Sequence, residues 1–192
     1  MCGKTQHKRR LLKNFAHLTA SYPRQHIYFE DEMRLGTRTE LKRKWTPQAH
    51  RPKAPIRIGY EFIHLFVAIA PFSGKIFAMF LPRLDQACFA LFSKEFDESL
   101  TCKTMLIADR ATAHKAQVMD NTKIELQKLP TACPELNPVE RFFKELRRQL
   151  ACKVFNTLQQ AEDAVEKVIQ TYFQQPDKVI SITKFPYLYD AS

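Results

Sequence analysis

Five consecutive residues constrain this chain more than any others. Met105 to Asp109 reads MLIAD, four apolar residues and then an acid. A short run without polar alternation fits a strand covered on both faces, so the sheet that holds it must lie between helices. That requirement points to a layered α/β architecture. An acid at the exit of such a strand stands where α/β folds place their chemistry, and Asp109 is read as functional on that ground.

The rest of the chain supplies the other layers. Ile27 to Leu35, IYFEDEMRL, alternates: Ile27, Phe29, Met33 and Leu35 point one way, and Tyr28, Glu30, Glu32 and Arg34 the other. Asp31 falls on the apolar side, where a carboxylate is costly unless it pairs with a cation or binds a metal. Both explanations stand at this point. Tyr60–Ala70 and Lys75–Leu81 are apolar runs split by Pro71-Phe-Ser-Gly74, which predicts a hairpin of central strands, with His64 a core histidine. Asp85–Leu100 carries a broad apolar stripe of helical spacing. A short helix is expected over 113–120, a strand over 124–129 and an amphipathic helix over 157–173, whereas the tail ending FPYLYDAS takes no assignment.

Charge is unevenly placed. Residues 1–60 hold 14 Lys/Arg against 4 Asp/Glu, and residues 61–192 hold 16 of each, so the net +10 sits entirely in the first third. A concentrated basic block is the footprint expected of a nucleic-acid partner, against the plainer reading of a solvated basic surface. Residues 1–26 form a basic arm with six Lys/Arg and no acid. No complete helix-turn-helix fits into so short a segment. Within residues 36–58, Trp45 lies among Arg43, Lys44, Arg51 and Lys53. There it either stacks on bases or lines a groove, or tucks into the core of a surface hairpin. No apolar run reaches membrane-spanning length, the N-terminus lacks the apolar region of a signal peptide, and the five cysteines show no C-x-x-C pair. The expectation is a reduced, cytoplasmic protein with no membrane partner.

Leu129–Leu150, LPTACPELNPVERFFKELRRQL, turns from a loop into a helix. Asn137 suits the N-cap and Pro138 the first helical position, where its missing N–H costs nothing. Val139, Phe142, Phe143, Leu146 and Leu150 make the buried face. Glu140, Lys144, Arg147 and Arg148 share another, an acid followed by cations that suits a metal beside a polyanion. Glu140 has a second reading, as the glutamate of a near capping box. Taken together, Asp31, Asp109 and Glu140 have the hard oxygen character that Mg²⁺ or Mn²⁺ prefers. Two such ions about 4 Å apart suit phosphodiester chemistry.

Three stretches in this order resemble mariner-superfamily bacterial insertion-sequence transposases with an Asp-Asp-Glu catalytic domain. IYFEDEMRLG followed by WTPQAHRP resembles the first-acid motif, LIADRATAH the second, and PELNPVE the core of the third. The resemblance runs from Ile27 to Leu150. It implies a ribonuclease-H-like fold, a mixed five-stranded sheet flanked by helices over residues 27–152; the amphipathic spacing beyond it predicts a C-terminal helical extension over 153–192. It implies two Mg²⁺ ions, with Mn²⁺ as a substitute, held by the catalytic acids Asp31, Asp109 and Glu140. It implies cleavage at transposon ends and transfer of the freed 3′-hydroxyl into target DNA. His114, Asn137 and Glu32 take supporting roles. Arg43, Lys44, Trp45, Arg51, Lys53, Arg110, Lys144, Arg147 and Arg148 are the expected DNA contacts. The expected partners are transposon-end and target DNA, a second copy as a homodimer on DNA, and a separately encoded N-terminal DNA-binding part. The expected location is the bacterial nucleoid. Arg110 beside the second acid, and Thr131-Ala132-Cys133 before the third, depart from the family's pattern. The alternatives are another ribonuclease-H-like nuclease, or an inactive DNA-binding remnant of a truncated transposase.

Overall fold

The computed structural model describes residues 15, 17, 19–42, 45–50, 53–109, 122–129 and 136–189. Five strands form one sheet: β1 (Ile27–Gly36), β2 (Phe62–Ile69), β3 (Ile76–Leu81), β4 (Thr104–Ala108) and β5 (Ile124–Lys128). Their order is β3-β2-β1-β4-β5. β1, β2 and β3 run antiparallel, and β4 and β5 lie parallel to β1. The helices that flank the sheet among the described residues include α1 (Gln86–Ser99), α2 (Pro138–Leu150), α3 (Leu158–Phe173), α4 (Pro176–Thr183) and α5 (Pro186–Tyr189). This is the mixed five-stranded sheet with flanking helices expected from the sequence. Among the described residues no helix is long and apolar enough to cross a membrane.

The apolar run at β4 sits at the centre of the packing, as its composition requires. All five residues of β4 are buried, Met105 and Ile107 into one core and Leu106 into another. Alternation along β1 divides the same way: Phe29 and Met33 face the α2–α4 side, and Tyr28 faces α1. On the α1 side the core is built around five buried aromatic rings, Tyr28, Phe66, Phe89, Phe92 and Phe96, among aliphatic residues. Phe92 packs on Phe66 with ring centroids 5.6 Å apart, and Phe96 meets Tyr28 edge-on at 5.1 Å. Such offset and edge-on pairs add to the stabilisation from area burial alone.

The β2–β3 turn depends on one glycine. Gly74 has φ +70°, and a Cβ there would stand 2.3 Å from the Pro176 carbonyl oxygen. The turn is thereby pressed against the start of α4, so the segment beyond residue 152 shares the main core. Val165, Ile169, Tyr172, Val179 and Leu188 pack with β1 and α2. The tail, which takes no assignment from sequence, forms α4 and α5. His64 is only partly buried and lies outside both cores, opposite Arg34 and edge-on to Phe62, so the expectation of a core histidine is corrected. The short helix expected at 113–120 lies outside the described residues.

Candidate active site

Strand register brings the first two acids together. β1 and β4 run parallel with Phe29 opposite Ile107. Both side chains enter the core under α2. Asp31 and Asp109 each follow this last pair by two residues, and each adds to the other's electrostatic surroundings, as the Asp31 carboxyl shows. Asp31 lies inside β1, opposite Val67 of β2, and is partly buried. Asp109 follows the last residue of β4 and is exposed.

Asn137 brings in the third acid. Its side-chain oxygen accepts from the Val139 amide at 3.1 Å, which caps α2. Its Nδ2 donates to the Glu30 carbonyl at 2.8 Å, and the residue is buried. One amide thus closes the helix start and ties it to β1 one residue before Asp31. Glu140 occupies the third helical position, in the first turn. Among the described residues its carboxylate makes no hydrogen bond back to the Asn137 amide. It stands 3.9 Å from an Arg147 nitrogen, half exposed. The capping-box reading of Glu140 is therefore not the geometry observed, because Asn137 caps the helix alone.

Electrostatics record how close the acids are. The Asp31 carboxyl is pushed up from 3.8 to about 7, first by burial and next by the Glu140 carboxylate, with Glu32 and Asp109 adding to it. A hydrogen bond from the Glu32 amide, 2.9 Å, opposes the shift. Among the described residues Asp31 makes no ion pair, so burial beside a lysine or arginine does not explain its position. Negative charge concentrated on oxygen donors is what a hard divalent cation neutralises. The donor set fits Mg²⁺ or Mn²⁺, although among the described residues no three such side chains close into a finished metal cage.

The remaining expected site residues separate into groups. Glu32 is partly buried and opposite Phe66. Lys144, Arg147 and Arg148 project from the polar side of α2 as its periodicity requires, but their surroundings differ. Arg148 is held by the Glu145 carboxylate through two contacts of 2.5 and 2.6 Å, which hold the Glu145 carboxyl down at about 2. Its charge is matched locally, whereas Lys144 is exposed. Trp45 is fully exposed, so its expected alternative place in the core is ruled out. Lys53 is exposed too. Arg43, Lys44, Arg51, Arg110 and His114 lie outside the described residues. The sequence reading passed over Lys42 and Arg141, which with Lys144 and Arg147 line a groove of about 590 Å³. It also passed over Arg34 and Arg38, which with Arg147 line an adjoining groove of about 670 Å³. Their signal was a basic residue on β1, on α2 or in the segment just after β1, too common to stand out.

The family model of the DDE superfamily endonucleases matches residues 26–162, a span that contains all three acids. The chain belongs to the DDE superfamily endonucleases. Solved structures agree on the fold. A pre-cleavage Mos1 transpososome has TM-score 0.70 at 13% identity, over 96% of this chain and 61% of that one. The Mos1 mariner paired-end complex with Mn has TM-score 0.69 at 14% identity, over 100% and 64%. The catalytic domain of Mos1 mariner transposase has TM-score 0.63 at 13% identity, over 100% and 96%. The endonuclease chain therefore spans about 61% of the first of these proteins and nearly all of the isolated catalytic domain. No curated protein sequence matches it.

Proposed function

We propose that this DDE endonuclease cuts DNA at transposon ends and joins the freed 3′-hydroxyl to target DNA, with Asp31, Asp109 and Glu140 as the catalytic, metal-holding acids. The observation that carries the reading is the tie from Asn137 to the Glu30 carbonyl. It sets the helix bearing Glu140 against the strand bearing Asp31, which pairs with the strand that leads to Asp109. When bound, two Mg²⁺ or Mn²⁺ ions would activate an attacking oxygen and stabilise the leaving one. The chain's own contribution is placement. Asp31 and Asp109 would share the metals from adjacent strands, and Glu140 would complete the second site. Asn137 fixes the helix start, and Glu32 and His114 support the acids.

DNA is the partner, held by Lys144, Arg147 and Arg148 of α2, by Trp45 and Lys53, and by Arg43, Lys44, Arg51 and Arg110. The two adjoining basic grooves meet at Arg147, which also faces Glu140, so a phosphate backbone following either groove passes beside the third acid. We further propose action as a homodimer on DNA, with end recognition supplied by an N-terminal DNA-binding part encoded separately. The source is a bacterial insertion sequence, and the place of action is the nucleoid. The domain limits in this reading are a basic arm at 1–26, the catalytic unit at 27–152 and a helical extension at 153–192.

Nicking of supercoiled plasmid with Mn²⁺ tests the reading, wild type against Asp109→Asn. Loss of nicking in the variant and in chelator is expected. Equal nicking by both proteins, or none by either while DNA still binds, would identify an inactive DNA-binding remnant instead.

A further inference from the structure

Residues 184–189 reach the start of α2 at two points, one on each side of Glu140. On the near side, the Tyr187 hydroxyl donates to the Leu136 carbonyl at 2.5 Å, one residue before the Asn137 cap. On the far side, the Arg141 guanidinium donates to the Lys184 carbonyl at 2.6 Å and lies over the Phe185 ring, 3.8 Å from its centroid. Arg141 is the residue after Glu140. The Tyr187 ring is itself held, edge-on to Phe15 at 5.4 Å, and Phe15 stacks on Phe29 of β1. The tail therefore connects the helix start to the same strand that carries Asp31. Burial pushes the Tyr187 phenol up, so its hydroxyl remains a donor throughout the working pH range. The family match ends at residue 162, so this segment lies outside it.

We propose that residues 184–189 are a positioning brace for the third acid, with Tyr187 its principal contact. The inference rests on the reading of Glu140 as a metal-holding residue. Two contacts then position one carboxylate: the tie from Asn137 to β1 and the tail from behind. A hydrogen bond to a carbonyl at a helix start fixes the direction in which the first turn leaves, and Glu140 is in that turn.

The test uses the full chain and Tyr187→Phe, which keeps the ring and its packing and removes only the hydroxyl. Mn²⁺ binding without DNA is measured by electron paramagnetic resonance of the free ion, alongside plasmid nicking, DNA binding in chelator and thermal melting in chelator. For Tyr187→Phe we expect Mn²⁺ binding weakened by about three- to tenfold, as for one lost hydrogen bond. The Mn²⁺ concentration needed for half-maximal nicking should rise in step, with DNA binding unchanged. Phe185→Leu, which loosens Arg141 without touching the hydroxyl, should shift both in the same direction and serves if Tyr187→Phe does not fold. A lowered melting temperature with wild-type Mn²⁺ binding would show mere packing and overturn the brace alone. A wild-type chain that binds no Mn²⁺ and nicks nothing would overturn the metal-site reading, and the brace with it.

Discussion

α1 and α2 flank opposite faces of one sheet, and each begins at a capped residue and buries a stripe rich in phenylalanine. Their caps work at different ranges. Asp85 accepts from the Cys88 amide at 2.9 Å, and its work ends within one turn of α1. Asn137 caps α2 in the same manner and also bonds a β1 carbonyl 107 residues away in sequence. A local cap makes a helix. A cap that reaches the sheet also fixes where that helix points, which matters only for a helix that carries chemistry. The polar sides agree with this division, since α2 presents an acid and then cations beside a second and third acid, while α1 packs an aromatic core.

The strongest way to break the comparison is to neutralise the acid on α2. Glu140→Gln should reduce Mn²⁺-dependent nicking by about 100-fold or more, roughly 3 kcal/mol of lost transition-state stabilisation. Its melting temperature in chelator should hold or rise, because a like charge is removed from beside Asp31. Substitution on α1 should do the reverse. Phe92→Ala, within the ring cluster of Phe66, Phe77 and Phe96, should cost about 3–5 kcal/mol of stability. Nicking per folded molecule should stay near wild type at low temperature. A large activity loss there, without unfolding, would show that the two faces are not separable.

The caps provide a finer version. Asn137→Ala should lose about 1–3 kcal/mol, one cap and one tie to the Glu30 carbonyl, and should weaken nicking beyond what the lost stability explains. Asp85→Ala should lose a little stability and leave nicking per folded molecule unchanged. Melting curves and plasmid nicking on both variants decide it. Equal effects on activity would mean that the tie from Asn137 to β1 does no positioning.

These contrasts also show what could be read from the chain beforehand. MLIAD declared a doubly covered strand because composition alone distinguishes it, and Asn137-Pro138 marked the start of α2 because capping is a local rule. Alternation put Asp31 on the apolar side of β1 without saying what it faced. Only the register of β1 with β4, and the bond from Asn137, answer that. Tyr187 was not legible at all. Its partner is a backbone carbonyl 51 residues earlier, and a carbonyl has no letter in a sequence. Trp45 had two readings because one exposed aromatic among cations looks the same on the page as one turned inward.

The smallest expected effect separates the acid beside α2 from an acid on its outer side, by pH. Asp31 has its carboxyl raised from 3.8 to about 7, so the folded state holds its proton more tightly than the unfolded chain does. Its contribution is fully present below pH 3.8 and is lost as pH rises through about 7. Glu145 is lowered from 4.5 to about 2 by Arg148, so its contribution is present above pH 4.5 and is lost as pH falls through about 2. Metal-free protein should therefore lose melting temperature modestly from weakly acid to neutral pH, and again at strongly acid pH. Asp31→Asn should flatten the first decline alone, and Glu145→Gln the second alone. Mn²⁺ should also remove the first decline, since a cation takes over from the proton in neutralising the cluster. A wild-type curve that is flat between pH 4 and 7 in chelator would mean that Asp31 is solvated and alone in solution, and the convergence of the three acids would have to be abandoned.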